Sequence, residues 1–183
     1  MTDALIDDAI RDGAGDPEIF NLVYRTYASQ VLGYLTARGV EDPEAVMQDV
    51  FVAVLPRLDT ISGGMAGLRT FIFSVAHARM VDDHRRQSRT PAKLSFEPEL
   101  DQREDTSAET EVLELIAPQE VQRLLSGLLD DQREVLTLRI VGGLTVEQVA
   151  EVMGKSPGAV KQLQRRALNR LREEPAVKEY VRP

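Results

Sequence analysis

Three helix starts in this chain share one pattern: a capping side chain, a proline directly after it, and then apolar residues at helical spacing. The pairs are Asp16-Pro17, Asp42-Pro43 and Ser156-Pro157. A proline suits the first position of a helix because its missing N–H would have no partner there, and the Asp or Ser oxygen before it can accept from a free amide. The pattern therefore predicts an all-α fold.

The first half of the chain predicts three helices. The first covers residues 17–38 and stops before Gly39, and the second covers residues 43–55, before Pro56 and the loop sequence ISGGMAG. The third covers about residues 68–84, where apolar side chains repeat at helical spacing. The second helix is apolar over more than one face, so one side can pack internally while another meets a partner.

The second half predicts four short helices. They cover residues 119–129 and 132–141, a segment after Thr145, and a segment from Pro157 onward. Thr145 with Gln148 three residues later has the spacing of a capping box, and Gly154 ends the third of these helices.

An acidic stretch separates the two halves. Residues 94–118 hold eight Asp or Glu and one Arg. We interpret this stretch as a linker between two small helical domains, residues 1–93 and 119–183. If the linker is flexible, its ends lie about 25 to 30 Å apart on average.

Composition excludes several classes of protein. The 183 residues include no Cys, which excludes disulfides and Cys-bound zinc. No apolar run approaches the ~20 residues of a membrane span, and the first residues, MTDALIDDAIRDG, are acidic where a secretory signal is basic. We expect a cytoplasmic protein without membrane insertion, cofactor or metal.

The last predicted helices reverse the charge balance of the chain. The formal net charge is −8, yet residues 155–172 carry six Lys or Arg and no carboxylate. A short helix, a turn at Gly154 and a longer capped helix form the helix-turn-helix arrangement. The predicted buried stripe of the last helix is Val160, Leu163, Ala167 and Leu171. The opposite face has side chains that suit base edges and phosphates, and it consists of Lys161, Gln162, Arg165, Arg166, Asn169 and Arg172.

Two segments resemble one protein family. Region four of the extracytoplasmic-function (ECF) branch of bacterial RNA polymerase sigma factors is similar to LLDDQREVLTLRIVGGLTVEQVAEVMGKSPGAVKQLQRRALNRLRE. Region two is similar to FNLVYRTYASQVLGYLTARGVEDPEAVMQDVFVAVLPRLDT with LRTFIFSVAHARMVDDHRRQSR. The segments stand in the family's order and cover most of the chain. The resemblance implies a protein that binds RNA polymerase core, directs it to specific promoters and is not an enzyme.

The resemblance also implies roles for residues. The second region-two helix would dock on the clamp helices of the polymerase beta-prime subunit through Val46, Gln48, Asp49 and Phe51. The next helix would recognise and melt the minus-10 element through Arg69, Phe71, Phe73, His77, Arg79, Asp82, Arg85 and Arg86. Unpaired bases stack on rings and cations follow the backbone, so these residue types suit the task. Core packing is an equal alternative for Phe71, whereas Phe73 lies off the main apolar stripe and is assigned to DNA.

Further partners follow from the same resemblance. Region four would read the minus-35 element and meet the beta flap of the polymerase. The acidic linker would thread near the RNA path, where its charge imitates a nucleic acid; a disordered tether is the alternative. Family members are often held by an anti-sigma factor, and the apolar second helix offers a surface for one.

Four features depart from the usual family pattern. Ala45 replaces a common acid, Ala78 replaces a frequent Asn that holds a flipped minus-10 base, and Leu163-Gln164 replaces Arg-Leu. Pro56 stands where the family helix continues and is predicted to end or kink it. The promoter sequence therefore cannot be taken from a relative.

Two alternative functions remain. His77, Asp82, Asp83 and His84 of the sequence HARMVDDH could bind a metal in an enzyme, but the adjacent arginines would oppose a cation. The second half alone also resembles the output domains of response regulators, which are helix-turn-helix regulators and not sigma subunits. The first half argues against this, because it lacks the alternating strands and helices of a receiver domain.

Overall fold

The computed structural model describes residues 17–89 and 123–174, and all regular structure within them is helical. The helices are α1 (Pro17–Ala37), α2 (Pro43–Val54), α3 (Gly64–Arg89), α4 (Asp130–Ile140), α5 (Val146–Met153) and α6 (Pro157–Glu173). A 3-10 helix, Leu55–Thr60, continues directly from α2, and residues 123–126 are also helical. The predicted all-α fold is confirmed.

Two of the three predicted helix starts are confirmed by their capping bonds. Asp42 Oδ1 accepts a hydrogen bond from Ala45 N at 3.0 Å, and Ser156 Oγ accepts one from Ala159 N at 3.2 Å. Each bond satisfies an amide that the helix itself leaves without a partner. Asp16, the predicted cap of α1, lies outside the described residues, as do the predicted linker and residues 119–122.

Helix α3 is longer than the sequence predicts. It covers Gly64–Arg89, where the sequence predicts residues 68–84. The prediction that ISGGMAG is a loop is wrong for its last four residues, because Gly67 lets the first turn of α3 lie against the preceding chain. A Cβ atom at Gly67 would lie 1.9 Å from the Ser62 carbonyl oxygen, so this glycine permits a close backbone approach inside a helix.

The buried apolar residues of the two halves form one continuous cluster. Most of it comes from α1, α2 and α3, which contribute fully buried Tyr27, Val50 and Ile72. The second half adds Val135, Leu138, Leu144, Val149 and Val160. A smaller cluster of Leu128, Leu136 and Ala167 holds α6 on α4. The described parts of the two halves therefore pack directly on one another.

Small residues bring the halves close together. A Cβ atom at Gly142 would lie 3.1 Å from Phe73 Cε1, and one at Gly33 would lie 3.2 Å from Val141 Cγ1. Phe73 is fully buried at this contact, with its ring edge-on to Tyr34 at a centroid distance of 5.7 Å. Phe73 lies off the main apolar stripe of α3, yet it is buried, because the second half covers the side of α3 that the sequence of α3 alone leaves open.

No helix within residues 17–89 and 123–174 combines the length and the apolar character that a membrane crossing requires.

Candidate nucleic-acid interface

Helices α5 and α6 are joined by a turn that local hydrogen bonds hold in place. Thr145 Oγ1 accepts from Gln148 N at 3.2 Å, and Gln148 Oε1 accepts from Thr145 N at 2.8 Å, so the predicted capping box is confirmed. Gly154 ends α5 with a φ of 61°, a left-handed conformation that suits glycine. With Ser156 capping α6, the arrangement is the predicted helix-turn-helix.

Helix α6 packs on α4 and α5 through one side only. Val160 and Ala167 are fully buried, and Leu163 and Leu171 are half-buried, as the predicted stripe requires. All six residues of the predicted opposite face are exposed, namely Lys161, Gln162, Arg165, Arg166, Asn169 and Arg172. We call these six residues the α6 face. Since packing uses the other side, the face is available to a DNA major groove, which is wide enough to admit an α-helix.

The cations of the α6 face keep their charge available. Lys155, at the turn before α6, pairs with Asp131 across a distance of 3.0 Å. Within the parts of the chain that the structure describes, no carboxylate pairs with Lys161, Arg165, Arg166 or Arg172. Such a surface attracts phosphate and releases the counterions condensed on DNA.

The C-terminal half of α3 forms a second basic surface. Arg79, Asp82, Arg85 and Arg86 are exposed there, and Asp82 lies 3.8 Å from Arg85. An exposed pair of this kind contributes little to stability, so it does not fix Arg85 in place. Phe71 is half-buried and lines an open cleft between α3 and α5.

Three other residues of the predicted minus-10 set contact the second half of the chain. Arg69 Nη1 donates to the Gly143 carbonyl oxygen at 3.3 Å. His77 meets Glu134 of α4, and Phe73 is buried as described above. In this structure these three side chains are engaged by protein, so the predicted set divides into an exposed group and a covered group.

Four polar side chains meet at the buried contact between the halves, and we term them the Glu134 cluster: Tyr34, Arg38, His77 and Glu134. Tyr34 OH donates to Glu134 Oε1 at 2.6 Å, and His77 Nδ1 lies 2.8 Å from the same oxygen. Arg38 Nε lies 2.7 Å from Glu134 Oε2, close enough for an ion pair although outside hydrogen-bond alignment. The Arg38 and Glu134 side chains are only 4% and 3% exposed.

Sequence reasoning missed three members of this cluster. Tyr34 appears in the sequence as one more apolar position of α1, and Glu134 as a charge within a short helix. The two residues are 100 positions apart, and no local spacing links them. Only His77 belongs to a predicted site.

Burial raises the pKa of the Tyr34 hydroxyl well above its usual value, and the charge of nearby Glu134 raises it further. Tyr34 therefore stays protonated and acts as the hydrogen-bond donor to the carboxylate.

The predicted polymerase-binding residues lie on α2 but differ in exposure. Gln48 and Asp49 are exposed, and Val46 is half-buried. Phe51 is 3% exposed and packs 4.9 Å from the Tyr24 ring, measured between centroids. Sequence reasoning missed Val52, an apolar side chain of α2 that is 72% exposed. The periodicity of α2 gave a signal for it, since the helix is apolar on more than one face.

The departures from the family pattern lie in different settings. Helix α2 ends at Val54 and the chain continues as a 3-10 helix around Pro56, as the proline predicts. Ala45 and Ala78 are exposed, and Leu163 is half-buried. Within residues 17–89 and 123–174, no three His, Asp or Glu side chains are grouped so that they could hold a metal ion.

The described residues form a three-helix bundle packed on a helix-turn-helix with a cationic face, an arrangement typical of all-α DNA-binding proteins. Residues 124–173 match the family model described as Sigma-70, region 4. The ECF RNA polymerase sigma factor ShbA of Streptomyces griseus is 36% identical over 132 residues, which cover 70% of this chain and 69% of that protein. The ECF RNA polymerase sigma factor SigD of Mycobacterium tuberculosis is 30% identical over 178 residues, 94% of this chain and 82% of that protein.

The fold has a match among solved structures. CnrH, determined in complex with the cytosolic domain of CnrY, has a TM-score of 0.66 and 21% identity, with both chains fully covered. The chain belongs to the ECF RNA polymerase sigma factors. It is thus an alternative sigma factor that directs transcription, and the similarity to sigma factors over most of the chain does not favour a helix-turn-helix regulator that is not itself a sigma subunit.

Proposed function

We propose that the two basic surfaces engage the two elements of a single promoter. The α6 face reads the minus-35 element in the major groove, and α3 recognises and melts the minus-10 element. The observation that carries the proposal is the exposure of all six polar residues on the capped second helix of a helix-turn-helix. Arg and Lys pair well with guanine edges and phosphates, and Asn and Gln pair with adenine.

Each half of the chain also has its own proposed contact with the polymerase. Gln48, Asp49 and the exposed Val52 of α2 provide a mixed polar and apolar surface for the beta-prime clamp helices. Residues 119–183 meet the beta flap, and the acidic residues 94–118 join them to residues 1–93. The protein acts in the cytoplasm and catalyses no covalent step of its own.

A protein inhibitor is part of the proposal. CnrH, which shares the fold, was solved with the cytosolic domain of CnrY. Exposed apolar side chains at Val52 and Tyr24 give this chain a surface on which an anti-sigma factor can bind and exclude the polymerase.

Run-off transcription with purified core polymerase tests the proposed function. Core plus the chain should start at discrete genomic sites that core alone does not use. A double variant, R165E with R166E, should abolish these starts while leaving core binding intact. Arg170 is an exposed cation on the same helix outside the α6 face, so R170E is the matched control and should retain them. A chain that gives no start at any genomic promoter is not acting as a sigma factor.

A further inference from the structure

The two halves of the chain are joined by charges that complement each other across their contact. Within the described residues the Glu134 carboxylate has its polar contacts in the first half of the chain: Tyr34 near the end of α1, Arg38 directly after α1, and His77 in α3. Arg38 also lies 3.5 Å from Asp130 at the start of α4. The buried polar groups of the two halves therefore lie against one another, with Arg38 and Glu134 in an ion pair that is not aligned as a hydrogen bond, and they lose these contacts when the halves separate.

The polar part of this contact differs in its energetics from the apolar cluster beside it. A buried ion pair contributes little net stability, because the desolvation of both charges offsets their attraction. Removing one partner while the other stays buried is strongly unfavourable, so such a cluster favours either a fully formed contact or full separation. An open cleft of about 460 Å³ borders the cluster and is lined by His77, His84, Lys155 and Glu134, so water reaches its edge.

The packed arrangement is too small for the proposed promoter contacts, and this step rests on the proposed function. Elements centred near minus 10 and minus 35 lie about 25 base pairs apart, which is about 85 Å of duplex at about 3.4 Å per base pair. A compact chain of this length has a radius of gyration of about 16 Å and a width of about 40 Å. The halves cannot reach both elements while they remain packed together.

The same contact covers residues of the predicted minus-10 site. His77 binds Glu134, Phe73 is buried beside Gly142, and Arg69 donates to Gly143. Gln148 of α5 also donates to the Ala66 carbonyl oxygen of α3 at 2.9 Å. The second half thus occupies one side of the helix that is proposed to handle the melted strand.

We propose that the chain rests in a closed, autoinhibited state in which the Glu134 cluster latches the two halves together. Promoter engagement requires the latch to open, with Glu134 exchanging Arg38, Tyr34 and His77 for water. Core polymerase opens it by holding the halves apart. The α6 face is exposed in the closed state, so the minus-35 surface itself stays free. The latch covers the minus-10 surface and keeps the two surfaces too close together to reach both promoter elements.

Single-molecule energy transfer measures the latch directly. The chain contains no Cys, so S29C and E173C at two exposed positions carry the only labels, one in α1 and one in α6. The unbound protein should show mainly a short distance, and added core polymerase should convert it to a long one. Glu134→Lys places a cation beside Arg38 and should make the long distance dominant without polymerase. The matched control, Glu147→Lys on the exposed side of α5, should leave the distribution unchanged.

A milder variant keeps the test valid if Glu134→Lys unfolds the chain. Tyr34→Phe keeps the ring on Phe73 and removes only the hydroxyl that donates to Glu134. Loss of a hydrogen bond to a charged group should raise the ratio of open to closed protein about tenfold. Circular dichroism checks the helix content of both variants. If Glu134→Lys has lost helix, the distance distribution of Tyr34→Phe is the result that decides for or against the latch.

The outcomes separate the latch from the proposed function. The apparent Kd for core should fall by the same factor by which the open fraction rises. If the wild-type chain supports run-off transcription but neither variant changes the distance distribution, the latch is wrong and the function stands. If the wild-type chain with core starts no transcript, the proposed function is wrong whatever the distances show.

Discussion

Replacing the cations of the α6 face one at a time should reduce the salt dependence of promoter binding by a calculable amount. The face carries four cations: Lys161, Arg165, Arg166 and Arg172. Each phosphate contact changes the slope of log K against log salt by about −0.9. If all four contact phosphates, the face contributes a slope of about −3.6, which is about 150-fold in affinity between 50 and 200 mM salt.

Alanine at one of these positions should change the slope contributed by the face from about −3.6 to about −2.7. The loss of affinity between 50 and 200 mM salt then becomes about 3.5-fold smaller. A cation that reads a base edge should instead relax sequence preference, with a loss of on the order of 10- to 100-fold on the cognate site. The measurement is fluorescence anisotropy of a labelled promoter with holoenzyme, titrated at several salt concentrations.

Two controls make this measurement specific. Asn169→Ala alters the face without altering charge, so it should leave the slope unchanged. Arg170→Ala removes the same charge as the test variants from a position outside the face. If Arg170→Ala lowers the slope as much as the four test variants do, long-range attraction explains the effect and not contact. If none of the four changes slope or preference, α6 does not lie on the DNA.

Three further outcomes follow from the packing. Gly142→Ala should destabilise the chain by about 1 to 3 kcal/mol in urea unfolding, because overpacking forces neighbours apart; its Cβ would lie 2.7 Å from the Leu138 carbonyl oxygen. An unchanged midpoint would show that the turn after α4 shifts to make room for the added methyl group, against the tight packing at this glycine. Thr145→Ala should cost about 1 kcal/mol through the lost cap, and a loss no larger than that of a surface Thr60→Ala control would contradict the capping box. The pKa of Tyr34 is raised in the folded chain, so folded protein binds more protons above pH 10 than unfolded protein and stability falls as pH rises past about 10; in Tyr34→Phe this part of the alkaline loss should disappear.

Local signals in the sequence were sufficient for the helix-turn-helix. Thr145, Gln148, Gly154 and Ser156 act on neighbours within a few positions, so their spacing alone predicts where α5 ends and α6 begins. The α6 face was predictable for the same reason, since one buried stripe fixes which side of a helix is exposed.

The contact between the halves was not predictable by such means. Phe73 and Glu134 owe their burial to residues far away in the chain, and the rule that buried charges are paired applies only once the partner is known. Gly67 illustrates a second limit. In a sequence, a glycine can indicate either a loop or a close backbone approach within a helix. For Gly67 only the position of the Ser62 carbonyl oxygen in the structure distinguishes the two.

Because α6 packs through one side only, the residues that hold the helix in the fold differ from those proposed to contact DNA. Val160 and Ala167 anchor the helix, while the outward side chains carry no part of that anchoring. Substitutions of the outward-facing side chains should therefore cost little folding stability. Duplicated copies of such a gene can then diverge quickly in the DNA sequences that their proteins bind.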